Sequence, residues 1–311
     1  MNSTFYAGFV AAFLIWAPAG LRGSVPVAGF TADVPYLGPE RAEKLDLYLP
    51  ATRSPRALSP AVVWIHGGGW TGGEKGEARA RQICGTLAKA GYVAVSINYK
   101  LGEGAWPMNL HDCKNAVRFL RANAAKYQLD PQRIAVAGGS AGGHLALMVG
   151  FTAGLSAFEP SERDTPYAGV SSAVRAVIDL YGPSNMLTRH AVDKSGQPTG
   201  ELSDERGPVK VFGASRSENP KLWKMISPVS HITKESPPVL IMHGKADATV
   251  DVRQSIELAA ALKAKGVTHE LILLDGVGHT FDWEKWKSKP LPQAVGPIAL
   301  SFLEKHLGPA K

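Results

Sequence analysis

The run Gly138-Gly139-Ser140-Ala141-Gly142 sets a hydroxyl among near side-chain-free neighbours, the G-x-S-x-G spacing of a nucleophile elbow. The requirement is steric. A turn from strand to helix tight enough to lift a serine clear of the sheet strains its backbone, and only small neighbours permit it. The helix that follows aims its free N–H groups and positive dipole end at the same place, where developing oxyanion charge is stabilised. Gly and Ser are common, so the pattern gains its weight from a buried strand before it and a helix after it. A Gly-rich phosphate-binding turn is the rival, but no Lys follows the glycines and no G-x-G-x-x-G spacing is present, which favours the elbow.

A second glycine run, His66-Gly67-Gly68-Gly69, follows an earlier strand. Adjacent glycines let backbone N–H groups turn toward a substrate oxygen, and each such donor is worth roughly 3–4 kcal/mol in the transition state. Gly68 and Gly69, with the N–H of Ala141, are the expected oxyanion hole, although Gly67 and Trp70 are not separable from them by sequence. His66 beside the hole is expected to bond backbone and hold the loop.

A hydroxyl nucleophile needs a base, and the base needs an acid to fix its tautomer. Of the nine histidines, His279 lies in a Gly-bearing loop, Asp275-Gly276-Val277-Gly278-His279-Thr280-Phe281, just past the last predicted strand. His144 falls on the helix after the elbow, as a packed or capping residue. His111, His190, His231, His269 and His306 fall on helices, insertions or strand starts. The acid is expected where Val239-Leu240-Ile241-Met242-His243-Gly244-Lys245-Ala246-Asp247 leaves its strand. Asp251 reads as a helix cap, and Asp275 and Asp282 stand too close to the histidine in sequence to reach round to its ring. Ser140, Asp247 and His279 thus occur in the order Ser…Asp…His.

Holding these residues at one edge calls for parallel strands with crossover helices on both faces, and the apolar pattern supplies them. Strands are predicted at Lys44–Leu49 (a half-buried edge strand by its alternation), Ala61–Ile65, Tyr92–Asn98, Arg133–Ala137, Arg175–Leu180, Val239–His243 and Glu270–Leu274. Helices are predicted at about 77–89 and 110–127, from the glycine-rich break at 138–143 to about 151, and at about 252–265 and 293–306. Segments 152–173 and 184–234 lack periodicity and are too long for plain connections, so they read as cap-like insertions over the crevice. Trp70, Trp106, Phe212 and Trp223 are candidates to line the substrate pocket, with ordinary core packing as the competing reading; Trp70 and Trp106 are the two assigned to substrate binding.

The 311 residues carry 45% apolar and 20% charged residues and a net charge of +7. Such a charge could favour anionic surfaces or polysaccharides, but the Lys and Arg are scattered, which argues for a solvated surface; no nucleic-acid partner is expected. Residues 5–16 are apolar and Ala17-Pro18-Ala19 follows, so 1–19 reads as a signal peptide and 20–311 as one catalytic domain. The expected product is a secreted or periplasmic protein with no membrane span after processing, or a cytoplasmic one if the segment is not a signal. Oligomeric state is not legible.

With these residues in hand, the chain resembles hormone-sensitive-lipase-like α/β-hydrolase esterases. It is most similar to the bacterial branch of bifunctional feruloyl and acetyl xylan esterases. The likeness runs over about 38–307. It rests on His66-Gly67-Gly68-Gly69-Trp70, Asn98-Tyr99-Lys100-Leu101, Trp106-Pro107 with His111-Asp112, Gly139-Ser140-Ala141-Gly142-Gly143-His144, His243-Gly244-Lys245-Ala246-Asp247 with Val250, and Gly276-Val277-Gly278-His279-Thr280-Phe281. It implies an α/β-hydrolase fold with a mostly parallel eight-stranded sheet ordered 1-2-4-3-5-6-7-8, no metal or organic cofactor, a structural Asp112, and hydrolysis of small or carbohydrate-linked esters by Ser140, Asp247 and His279. Lys100-Leu101-Gly102-Glu103 stands where the lipase branch has Arg-Leu-Ala-Pro, which argues against that branch. The implied strand order puts the helices bearing Cys84 and Cys113 on opposite faces, so both are expected as free thiols. A peptidase of the prolyl-oligopeptidase type shares the triad order, but the 43 residues before the first predicted strand leave no room for its propeller. A non-catalytic binding module on the same fold is the other alternative, disfavoured because all three triad positions are filled.

Overall fold

The computed structural model describes residues 29–51 and 58–310, so the expected signal segment 1–19 lies outside the described residues. Eight strands make the central sheet: β1 (Gly29–Val34), β2 (Leu45–Leu49), β3 (Ser59–Ile65), β4 (Val93–Ile97), β5 (Leu129–Gly139), β6 (Ala176–Leu180), β7 (Val239–Gly244) and β8 (His269–Leu274). Their order is β1-β2-β4-β3-β5-β6-β7-β8. β1 and β2 pair antiparallel, as do β2 and β4, and every later pair is parallel. The order is the one that the resemblance implies.

Helices α1 (Ala78–Lys89), α2 (Met108–Ala122), α3 (Ala124–Tyr127), α4 (Ala141–Phe151), α5 (Arg206–Phe212), α6 (Pro220–Met225), α7 (Arg253–Ala264) and α8 (Val295–Leu307) complete the framework. Strand alternation divides the core in two. Ala61, Val63 and Ile65 of β3 face the layer of α2, α4 and α7, while Val62 and Trp64 face that of α1 and α8. Cys84 and Cys113 are free and buried in opposite layers, as expected.

Three local expectations change. The stretch 44–49 is no edge strand: β2 is buried because β1, unseen in the sequence, covers its outer side. β1 itself is mostly exposed and so shows no core-facing alternation. It is fastened by Lys75, whose Nζ lies 2.8 Å from both Asp33 and Asp46. The helix predicted over 110–127 breaks at Asn123, whose amide donates to the Phe119 carbonyl at 2.8 Å. β5 begins four residues before Arg133, with a register shift opposite Ser59–Ala61 that accommodates Asp130-Pro131.

The insertions differ in what they do. Segment 152–173 is tied down by Glu159, which accepts from buried Lys114 at 2.8 Å and pairs with Arg118. Segment 184–234 holds the hairpin His190–Val192/Pro198–Leu202, then α5 and α6, packed around fully buried Trp223. Among the described residues no helix is long and apolar enough to cross a membrane.

Candidate active site

β5 ends at Gly139 and α4 starts at Ala141, leaving Ser140 alone to make the turn at φ 58°, ψ −123°. A side chain finds this region strained, at a cost of about 1–3 kcal/mol. The neighbours explain how it is reached. A Cβ on Gly138 would stand 2.2 Å from the Gly142 carbonyl oxygen, and one on Gly142 would stand 2.1 Å from that of Ile65. The serine is pinned by its N–H, which donates to the Leu180 carbonyl at 2.9 Å, while its carbonyl accepts from His144 N–H at 3.0 Å and opens α4.

His279 arrives from the loop after β8 and Asp247 from the turn after β7. Ser140 Oγ lies 3.0 Å from His279 Nε2, and His279 Nδ1 lies 2.6 Å from Asp247 Oδ2. The structure therefore brings the three predicted residues into one row. A carboxylate only accepts, so Nδ1–H is the donor and Nε2 presents its lone pair to the hydroxyl. The imidazole is held from behind: Trp286 Nε1 donates to the His279 carbonyl at 2.8 Å, and the edge of Tyr181 packs at 4.7 Å between ring centroids.

Asp247 takes more than the base. Its Oδ1 accepts from the N–H of Thr249 at 2.8 Å and of Val250 at 3.0 Å. Its Oδ2 also lies 3.2 Å from His243 Nε2. Burial alone would raise this carboxyl, but hydrogen bonds and charge from His243 and His279 hold it well below the usual carboxylate range. His243 is buried, with Nε2 also 3.1 Å from the Val250 carbonyl and Nδ1 2.7 Å from Ser255 Oγ. Two acceptors face Nε2, so that nitrogen donates and Ser255 donates to Nδ1. This second imidazole was missed in the sequence, where it reads as the last apolar-strand position. Its spacing four residues before Asp247 is the only signal.

Above Ser140 a cavity of about 380 Å³ is lined by the Gly67–Trp70 loop, Ala141, His279 and Thr280, by Thr249 and Val250, and by Glu77, Arg79 and Arg189. Among the described residues, the N–H groups of Gly68, Gly69 and Ala141 have no hydrogen-bond acceptor, so all three remain open donors beside the hydroxyl. Gly67 approaches the nucleophile most intimately: a Cβ there would lie 3.2 Å from Ser140 Cβ. His66 holds the loop as expected, its Nδ1 lying 2.6 Å from the Gly67 carbonyl and its ring stacking on Tyr99 at 4.5 Å. Burial lowers it to about 4, which keeps it neutral.

Of the aromatic residues, Trp70 reaches the cavity although almost wholly buried; its Nε1 donates to His144 Nδ1 at 3.3 Å, and its edge meets Phe212. His144 is packed, its Nε2 bonding the Ile226 carbonyl at 2.7 Å. Trp106, half-buried, packs on Phe212 at 5.6 Å and is not among the residues that line this cavity. Phe212 and Trp223 are buried core.

The remaining acids stay apart. Asp251 accepts the N–H of Arg253 at the start of α7, Asp275 pairs with Lys245, and Asp282 accepts from the N–H groups of Glu284 and Lys285. Asp112, buried, pairs with Arg41 at 2.7 Å and accepts Lys100 N–H at 2.8 Å, a brace between strands and loops; burial lifts it to about 6. Asp179 lies under the elbow with one oxygen on Gly182 N–H and the other without a partner among the described residues, and burial pushes it up to about 8.

Comparison with known proteins agrees with this architecture. Residues 45–262 match the BD-FAE family. Esterase LipQ of Mycobacterium tuberculosis is 31% identical over 287 residues, which are 91% of this chain and 65% of that protein, so the chain spans just under two thirds of that relative's length. Among solved structures, a truncated carbohydrate esterase from gut microbiota superposes with a TM-score of 0.77 at 28% identity, covering 90% of this chain and 97% of that one. Thermogutta terrifontis esterase 2, phosphoramylated by tabun, gives 0.71 at 27% identity, with 94% and 100% covered. With its strand order, its serine turn and this match over most of its length, the chain belongs to the BD-FAE family and has the α/β-hydrolase fold of these esterases.

Proposed function

We propose that this chain hydrolyses carboxylic esters through an acyl-enzyme on Ser140. The observation that carries the reading is the hydrogen-bonded row Ser140–His279–Asp247 beside three open backbone N–H groups. Ser140 Oγ attacks the ester carbonyl as its proton passes to His279 Nε2, and Asp247 stabilises the imidazolium that forms. The oxyanion rests on N–H groups of Gly68, Gly69 and Ala141. His279 then protonates the departing alcohol, and a water activated by the same nitrogen releases the acid.

The substrates proposed are small or carbohydrate-linked esters of the acetyl or feruloyl type, in keeping with the family and with a carbohydrate esterase as structural neighbour. Residues 20–311 act as one catalytic unit, and the apolar 5–16 stretch ending at Ala17-Pro18-Ala19 fits an exported enzyme. The test is turnover of 4-nitrophenyl acetate by wild type and Ser140→Ala, with paraoxon labelling read by mass. Turnover and a single adduct in wild type, and neither in the variant, are expected. An active Ser140→Ala chain refutes the mechanism. A panel of acetate, butyrate, octanoate and methyl ferulate esters then sorts the acyl class, and preference for the long chain counts against a carbohydrate esterase.

A further inference from the structure

The insertion 184–234 contributes one charged side chain to the cavity, Arg189. Its Nη2 donates to the Thr249 carbonyl at 3.0 Å, and its Nε is buried with no partner among the described residues. No carboxylate among the described residues lies within ion-pair distance of it. Asp247 attracts it, but both oxygens of that carboxylate are already taken by four donors, and Arg216 adds a like charge from behind. The other cavity cation, Arg79, faces Glu77 at 3.4 Å and donates to the Thr280 carbonyl, so that pair is self-neutralised. A guanidinium with its Nε buried and unbonded, and one carbonyl as its sole acceptor among the described residues, has a fork of donors that an anion would complete.

We propose, resting on the esterase reading, that Arg189 is a specificity-determining residue and that the preferred ester carries a carboxylate, held by Arg189 while Ser140 attacks the ester carbonyl. The reaction is unchanged: water adds, the ester C–O bond breaks, and acid and alcohol leave. The anion belongs either to the acyl part, as in a dicarboxylic half-ester, or to the alcohol part, as in an acetylated hydroxy acid.

Two substrate pairs separate these sources. Mono-4-nitrophenyl glutarate against 4-nitrophenyl pentanoate probes the acyl side, and 4-acetoxybenzoate against its methyl ester probes the alcohol side. Wild type is expected to favour the anionic member of at least one pair by about tenfold or more in kcat/KM, the scale of one charge-assisted contact, and the preference should shrink with added salt. Arg189→Gln should collapse that ratio and Arg189→Lys should keep part of it. Should Arg189→Gln not fold, the Lys variant and competitive inhibition of wild type by glutarate or 4-hydroxybenzoate give the same reading. The proposal is overturned if wild type shows no preference in either pair, or if the variants lower both members equally, which would make Arg189 a prop for the Thr249–Val250 turn. Failure of wild type on every ester, neutral ones included, would instead strike the esterase reading itself.

Discussion

Replacing Asp247 by Asn conserves shape while exchanging one acceptor for a donor. Four N–H groups converge on this side chain, two from backbone on Oδ1 and two from imidazoles on Oδ2. With its oxygen kept on the Thr249 and Val250 N–H groups, the amide turns its NH₂ toward His279 Nδ1, 2.6 Å away from the replaced oxygen. The imidazole relieves the clash by changing tautomer, and Nε2, now protonated, no longer takes the Ser140 proton. The expected loss in kcat is ~10³–10⁴-fold, or about 4–5.5 kcal/mol. Stability should fall too. A carboxyl held below its unfolded value near 3.8 stabilises the fold at all pH above that value and ceases to do so as pH drops through the lower folded one, so the Asn chain lacks this contribution at neutral pH. The assay is single-turnover hydrolysis of 4-nitrophenyl acetate, with circular dichroism and urea midpoints on both chains. A kcat within about tenfold of wild type in a folded Asn chain would refute the tautomer argument.

Two further outcomes test the surroundings of the row. His243→Phe removes one of the four donors on Asp247, so kcat should fall about ten- to hundredfold with KM little changed, and an unaltered kcat would leave His243 a partner of Ser255 and Val250 alone. Asp179, raised from about 3.8 to about 8 by burial, binds its proton more tightly folded than unfolded. The stability contributed by Asp179 is therefore full below about pH 4 and declines as pH rises toward 8, by an upper limit of about 6 kcal/mol. Asp179→Asn stays neutral and should flatten urea midpoints over that interval, and a slope equal to wild type would show that Asp179 does not ionise there.

The serine turn, the glycine loop and the order Ser…Asp…His were legible because each sits where a hydrophobic strand stops, and strand ends are what periodicity marks best. β1 was not, since its faces are exposed and its partner's burial is a tertiary fact. Trp106 illustrates a related point: an aromatic residue near a site in sequence is equally suited to packing, and in space it rests on Phe212. His243 and Arg189 carried no periodic signal of their own. Each matters through neighbours 4 and about 50–60 residues away, Asp247 and the Ser140–Thr249 surroundings, which only the sheet order brings together.

The histidine of the row hangs from β8, the last strand of the sheet, which has no neighbouring strand on its outer side among the described residues. Border strands open at lower free energy than interior ones. A fraying excursion there would carry the base away while the serine, anchored between interior strands, keeps its strained pose. Such a molecule is silent yet still folded, so turnover is a stricter witness of the native state than any spectroscopic signal from its helices. The hydroxyl and the ring stand 139 residues apart in the chain, so their meeting is a non-local contact whose loop-closure entropy refolding must meet.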